Sequence, residues 1–257
     1  MCILLLSLQQ HPKYPLIVAA NRDEFYDRPT NAADFWADAP HVLAGRDRRQ
    51  GGTWLGITRQ GRFAALTNFR DAESTPAERP SRGHLVSKFL LGDEPPHVYL
   101  STVAQQADRY NGFSLIAGQG DDFIFYSNRE GRVRRLAPGV YGLSNHLLNT
   151  PWPKVSRGTQ SLSELLFAGG DPAPEILFAT LADGTIADDA GLPDTGIGLA
   201  RERLLSPLFI SGDRYGTRSS TVILLDQDGN ITFSERSFDG SADRYSSVTH
   251  SFRIGGG

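Results

Sequence analysis

The chain opens on an almost unbroken apolar run, Cys2-Ile3-Leu4-Leu5-Leu6-Ser7-Leu8, and meets a second one at Leu16-Ile17-Val18-Ala19-Ala20. Neither run shows the alternation of a half-solvated strand, so both predict short strands buried on two faces within a layered fold. Pro12 and Pro15 punctuate the interval and predict a turn between them. Glycine-bounded strand signals follow at 53–58 and 62–69. Residues 71–80 carry acidic and hydroxyl side chains with two prolines and predict a loop. Ser81 then stands where it could cap a helix over 82–91, with Leu85, Phe89 and Leu90 on one face. A second helix is expected over 96–109, opened by Pro95-Pro96. Strands are expected at 113–118, 122–127 and 140–144, helices at 154–168 and 174–182, and closing strands near 217–225, 230–236 and 246–254.

This order runs strands, helices, strands, helices, strands. Segregated blocks of that kind predict an α+β fold rather than alternating βαβ units. No internal repeat, low-complexity run or linker composition interrupts the chain, so residues 1–257 are expected to form a single domain.

Composition narrows the function classes. Hydrophobic residues make up 39% of the 257, charged residues 21% and aromatics 10%, an ordinary globular balance. With 26 basic against 29 acidic side chains the formal charge is −3, which provides no general field for nucleic acid. Arg46, Arg48 and Arg49, followed by Arg59 and Arg62, form a local basic cluster that suits either a solvated face or an anionic ligand. No stretch approaches the roughly 18 apolar residues of a membrane-spanning helix. The apolar start is short and has no basic region before it, unlike a secretory signal. One cysteine allows no internal disulfide, and a cytoplasmic location is expected. The six histidines show no metal-ligand spacing, and the glycines around 51–56 lack a nucleotide-binding order, so no metal and no required cofactor are expected. Trp36, Trp54 and Trp152 suit a core or a pocket wall.

The first hairpin concentrates the candidate chemistry. If the two opening runs pair around a turn near Pro12, residues whose numbers add to about 24 face each other, with Cβ atoms ~5 Å apart. Cys2 then faces Arg22, with Asp23 next along the strand. Loss of Met1 would leave Cys2 with a thiol and an α-amine on one residue. The amine, with an ordinary pKa of ~7.7–8.0, suits a general base that takes the thiol proton. Arg22 would favour the thiolate, and Asp23 could hold the amine by a charge-assisted bond. The same residues also suit plainer roles, Cys2 as a small buried hydrophobe and 21–24 as a strand end entering a turn.

Cys2 after Met1, followed by Asn21-Arg22-Asp23-Glu24-Phe25, resembles the NRDE-motif family, also called the transport and Golgi organisation protein 2 family. Further segments resemble it in the same order: Ala44-Gly45-Arg46-Asp47, Gly51 to Gly56, Leu66-Thr67-Asn68-Phe69-Arg70, Gly142-Leu143-Ser144-Asn145 and Tyr215 to Val222. That family is in turn similar to the cysteine N-terminal-nucleophile hydrolases, among them penicillin V acylase and bile-salt hydrolase. The resemblance implies a four-layer αββα sandwich and cleavage of an amide or thioester bond of a small molecule. By position it implies Cys2, Arg22, Asp23, Asn68, Asn145 and Arg218 as catalytic residues, although arginine and aspartate are adjacent in this chain and separated in the hydrolases. Asn68 would then donate into an oxyanion hole, or else simply turn the chain. Asn145 would orient the amine or the leaving group. Arg218, in an apolar-flanked strand, is expected to find a partner in Asp23, as an ion pair or as part of the site. Asn21, Trp54 and His146 are expected to line the substrate. The family is equally associated with haem trafficking and with lipid or acyl-CoA metabolism. The alternative is therefore a carrier of haem or acyl-CoA on the same scaffold, with the Arg46–Arg49 cluster receiving a propionate or phosphate. Substrate identity and oligomeric state stay open.

Overall fold

The computed structural model describes residues 2–70, 79–169 and 171–255; the greater part of the loop expected over 71–80 lies outside them. In chain order the strands are β1 (Cys2–Leu8), β2 (Leu16–Phe25), β3 (Thr30–Trp36), β4 (Ala39–Asp47), β5 (Leu55–Thr58), β6 (Phe63–Asn68), β7 (Phe113–Gln119), β8 (Asp122–Ser127), β9 (Val133–Arg135), β10 (Gly139–Leu143), β11 (Tyr215–Leu225), β12 (Asn230–Phe238) and β13 (Tyr245–Arg253). The helices are α1 (Gly83–Leu91), α2 (Pro96–Gln105), α3 (Pro153–Phe167), α4 (Pro174–Leu181) and α5 (Leu199–Leu204). The fold is α+β, with two sheets and a helical layer on each, the components of an αββα sandwich.

Two compact units divide the chain. One takes the residues up to Asp27, then Pro138–Ser144 and Leu148–Ser251. It holds a six-stranded sheet in the order β10-β1-β2-β11-β12-β13. α3 packs on β1 and β10, and α4 packs on β2 and β11. The core beneath these helices joins Ile3, Leu5, Ile17, Ala19, Val222 and Leu224 of the sheet to Trp152, Val155, Leu162, Leu177 and Leu181. Ile3 to Leu8 and Leu16 to Ala20 are buried without exception, so these strands are covered on both faces, as their lack of alternation predicts.

The other unit takes Arg28–Ala137, Asn145–Leu147 and the residues from Phe252. Its seven strands lie in sequential order, β3 to β9, an antiparallel meander. α1 and α2 cover one face over a core of Trp36, Val42, Ala64, Leu66, Phe89, Leu100, Phe113, Leu115 and Ile124.

Several expectations change in detail. β2 runs on to Phe25, because Asn21, Arg22 and Asp23 are buried, the first two paired on both sides and Asp23 paired with Thr217 of β11. Ser81 does not cap α1; the helix starts at Gly83 with no side-chain cap, and the Ser81 carbonyl accepts from the His84 N–H. Gly83 belongs there because a Cβ would sit 3.1 Å from the Thr53 carbonyl oxygen. The helix expected over 96–109 ends at Gln105, and a single 3₁₀ turn, Ala107–Arg109, completes the span. β3, β4, β9 and α5 appear where no regular element is expected from pattern.

Candidate functional site

The register of the opening hairpin is the one its residue numbers predict. Leu8 faces Leu16, Leu6 faces Val18, Leu4 faces Ala20 and Cys2 faces Arg22. β2 is held on its other edge by β11, where Thr217 faces Asp23 and Ser219 faces Arg22. The residue between those two, Arg218, occupies a bulge. Side chains alternate along a strand, so Cys2, Arg22, Ser219 and, on β12, Ser237 form one row across the sheet. This row shares a face with Leu4 and Ala20. Asn21 and Asp23 point to the opposite face, the one that carries α3 and α4.

Cys2 is half-buried, and Ser144 Oγ donates to its carbonyl at 2.9 Å. Burial pushes the thiol up from its ordinary range, and the Asp23 charge pushes in the same direction; the Arg22 charge and the Asp23 backbone N–H bonded to the sulfur oppose them. Arg22 is 8% exposed and lies 3.7 Å from the Glu24 carboxylate. Asp23 is 2% exposed. Burial drives its carboxyl upward, and the Lys154 ammonium opposes burial most strongly, aided by a 2.8 Å hydrogen bond from the Thr217 hydroxyl. That hydroxyl also accepts from the Ile210 N–H, so its orientation is set from two sides. Tyr215 donates its phenol to the Asp23 carbonyl.

Two residues of this unit take structural bonds that their sequence positions do not announce. Asn21, expected to line the substrate, is fully buried: its amide donates to the Leu181 and Leu208 carbonyls, and its oxygen accepts from Ser220. It clamps the end of α4 and the segment after α5 to the sheet. Arg218, expected to pair with Asp23, donates to the Phe25 and Tyr26 carbonyls instead, while Asp23 accepts from Thr217. The bulge re-aims the arginine along the end of β2.

In the other unit Asn68, Asn145 and His146 come together. Asn68 ends β6 and is exposed. Asn145 is fully buried; its amide donates to the Asn68 carbonyl at 2.8 Å, and its own carbonyl accepts from the Arg70 N–H. Ser114 Oγ donates to the His146 carbonyl, and the His146 ring lies 4.6 Å from that of Phe69. Burial and the Arg70 charge hold this imidazole below its ordinary range. Trp54 is half-buried just before β5, and its carbonyl accepts from the Leu66 N–H of β6. These bonds give Asn145 a stitching role at the end of β6. Trp36 and Trp152 belong to the cores of their respective units.

Sequence reasoning assigned nothing to Lys154 or Thr217. Thr217 lies within the Tyr215–Val222 segment, whose pattern alone gives it no role. Lys154 had one available signal, a cation in the first turn of a helix opened by Pro153, where the helix field is positive. The basic cluster is partly architecture: Arg46 binds Asp38 through two bonds and lies 4.3 Å over Trp36, and Asp47 pairs with Arg28 while accepting from the Arg49 and Gln50 N–H groups. Among the described residues no His, Cys, Asp and Glu group is placed to hold a metal, and no helix is long and apolar enough to cross a membrane.

Comparison with known proteins extends over the whole length. Residues 1–240 match the family model described as Transport and Golgi organisation 2. The chain is 42% identical to the Bos taurus Transport and Golgi organization protein 2 homolog and 38% identical to that of Homo sapiens, each alignment covering 99% of both chains. A solved structure of a Caenorhabditis elegans N-acylethanolamine-hydrolyzing acid amidase ortholog is similar over 87% of this chain and 92% of its own, at 11% identity and a TM-score of 0.49. On the family match and these identities, the chain belongs to the Transport and Golgi organisation 2 family.

Proposed function

We propose that the protein is an N-terminal-cysteine hydrolase or acyl transferase acting on an amide or thioester bond of a small molecule. The observation that carries this reading is the pairing of Cys2 with Arg22 across the first hairpin, with buried Asp23 beside them. After removal of Met1, the α-amine of Cys2 takes the thiol proton, and the guanidinium opposite favours the resulting thiolate. The sulfur attacks the carbonyl, the bond to the nitrogen or sulfur leaving group breaks, and the amine returns its proton to that group. Water, or another acceptor, then attacks the acyl-cysteine and regenerates the thiol. Asp23 serves as the carboxylate that orients the amine. For Asn68, Asn145, Trp54 and His146 the support is the family resemblance.

The carrier reading, with haem or acyl-CoA held by the basic cluster, draws little from the geometry. Arg46 is bound to Asp38 and stacked on Trp36, which favours a structural role.

The test uses a small activated acyl donor, p-nitrophenyl acetate, followed by intact mass. The expected result is loss of Met1 and a rapid gain of one acetyl group at Cys2, absent in Cys2→Ala at unchanged thermal stability. Equal acetylation and release of nitrophenol by Cys2→Ala would sink the mechanism.

A further inference from the structure

Lys154 is a buried cation that the mechanism above leaves unused. It is 1% exposed, in the first turn of α3, directly after Trp152 and Pro153. Two costs meet at that position. An ammonium taken out of water needs an anionic or hydrogen-bonding partner. The exposed N–H groups of a helix start also make that end positive, which disfavours a cation. A lysine persists there when a carboxylate repays both. Asp23 is that carboxylate: it is 2% exposed, it lies on the sheet face that carries α3, and the Lys154 charge acts on it. The helix is brought close enough by Gly142 and Gly158. A Cβ on Gly142 would fall 2.7 Å from Val155 Cγ1, and one on Gly158 would fall 2.8 Å from Leu5 Cδ2.

We propose that Lys154 is a positioning residue of the Cys2 site: its ammonium holds the Asp23 carboxylate from the helix side of the sheet, so that Asp23 stays charged and fixed beside Cys2. The proposal deepens the hydrolase reading and rests on it for its functional meaning, while the pair itself exists or fails independently of turnover. The groups that act on Asp23 are Lys154 from α3, the N-terminal amine, Thr217 from β11 and Arg22 from its own strand; Asp23 in turn acts on Cys2 of β1 and on Tyr26.

Cys2 is the chain's only cysteine, so a cysteine-specific ¹³Cβ label yields one resonance beside Asp23. Its chemical shift is followed against pH in the wild type, Lys154→Met, Lys154→Arg and Asp23→Asn. The expected result is an acid inflection, absent in Asp23→Asn, that moves up by about one pH unit or more in Lys154→Met. Lys154→Arg, which keeps the charge, returns it toward the wild-type position. An inflection at the same pH in the wild type and Lys154→Met would overturn the proposal. Where Lys154→Met fails to fold, Lys154→Met/Asp23→Asn, which removes both charges, is expected to fold; equal failure of both variants would overturn it too. An unreactive Cys2 toward p-nitrophenyl acetate with a moving inflection would refute the hydrolase reading and leave the pair standing.

Discussion

Asn21 shows how the bonds of a motif residue stay hidden in sequence until the strand around it is placed. In a stretch of Asn-Arg-Asp-Glu it reads as polar and therefore available, yet strand alternation turns it to the helix face, where it ties Leu181, Leu208 and Ser220 together. Asn21→Leu would strand two carbonyls and a hydroxyl in a dry interior. It is expected to lower stability by about 2–3 kcal/mol, read as a fall in the urea midpoint. An unchanged midpoint would mean that the clamp is not needed. Cys2, Arg22 and Asp23 were legible because a hairpin's register follows from arithmetic once its turn is placed. Arg218 was not, because a bulge shifts the parity of the residues around it and no local pattern announced one. Lys154 was legible only in part: the helix start could be read, but a lysine there gives no sign of facing inward until the sheet below it is known.

Among the elements, continuous apolar runs and proline-opened helices were the ones sequence conveyed well: β1, β2, β7, β8, α3 and α4 begin within a few residues of expectation. β3 and β4 were lost because their pairing shifts register twice, between Asn31 and Asp34 and again between Phe35 and Trp36, so neither strand keeps an alternation. The start of β11 illustrates a different dependence. A Cβ on Gly216 would fall 2.5 Å from the Ile210 carbonyl oxygen and would collide with the Tyr26 hydroxyl. Ile210 and Thr217 are joined by two bonds, N–H to hydroxyl and N–H to carbonyl, so this close approach is what aims the threonine at Asp23. Gly216→Ala is expected to cost about 1–3 kcal/mol through overpacking, seen as a lower thermal midpoint. It should also weaken Cys2 acylation more than an equally destabilising change in the distant core does, because it displaces Thr217.

For the molecule as a whole, acid sensitivity should trace in part to His146. Its imidazole is held below the ordinary 6.5 by burial and by Arg70, so the unfolded chain binds that proton more readily than the native one. The stability involved is present above about pH 6.5 and is lost as pH falls through the folded value. The urea midpoint of the wild type is therefore expected to drop between pH 7 and pH 5, and that of His146→Gln to drop less; parallel curves would exclude the residue as a contributor. The six-stranded sheet carries a further consequence in the order of its strands. β1 lies between β2 and β10, and β2 in turn waits for β11. β1 thus finds one neighbour within about twenty residues of its own synthesis and the other only after Leu143 has been made. At roughly 5–20 residues per second, that interval lasts many seconds. Throughout it an apolar strand stays open along one edge, exposed to chaperones and to the peptidase that would uncover Cys2. The oldest strand of the sheet is among the last to be closed in.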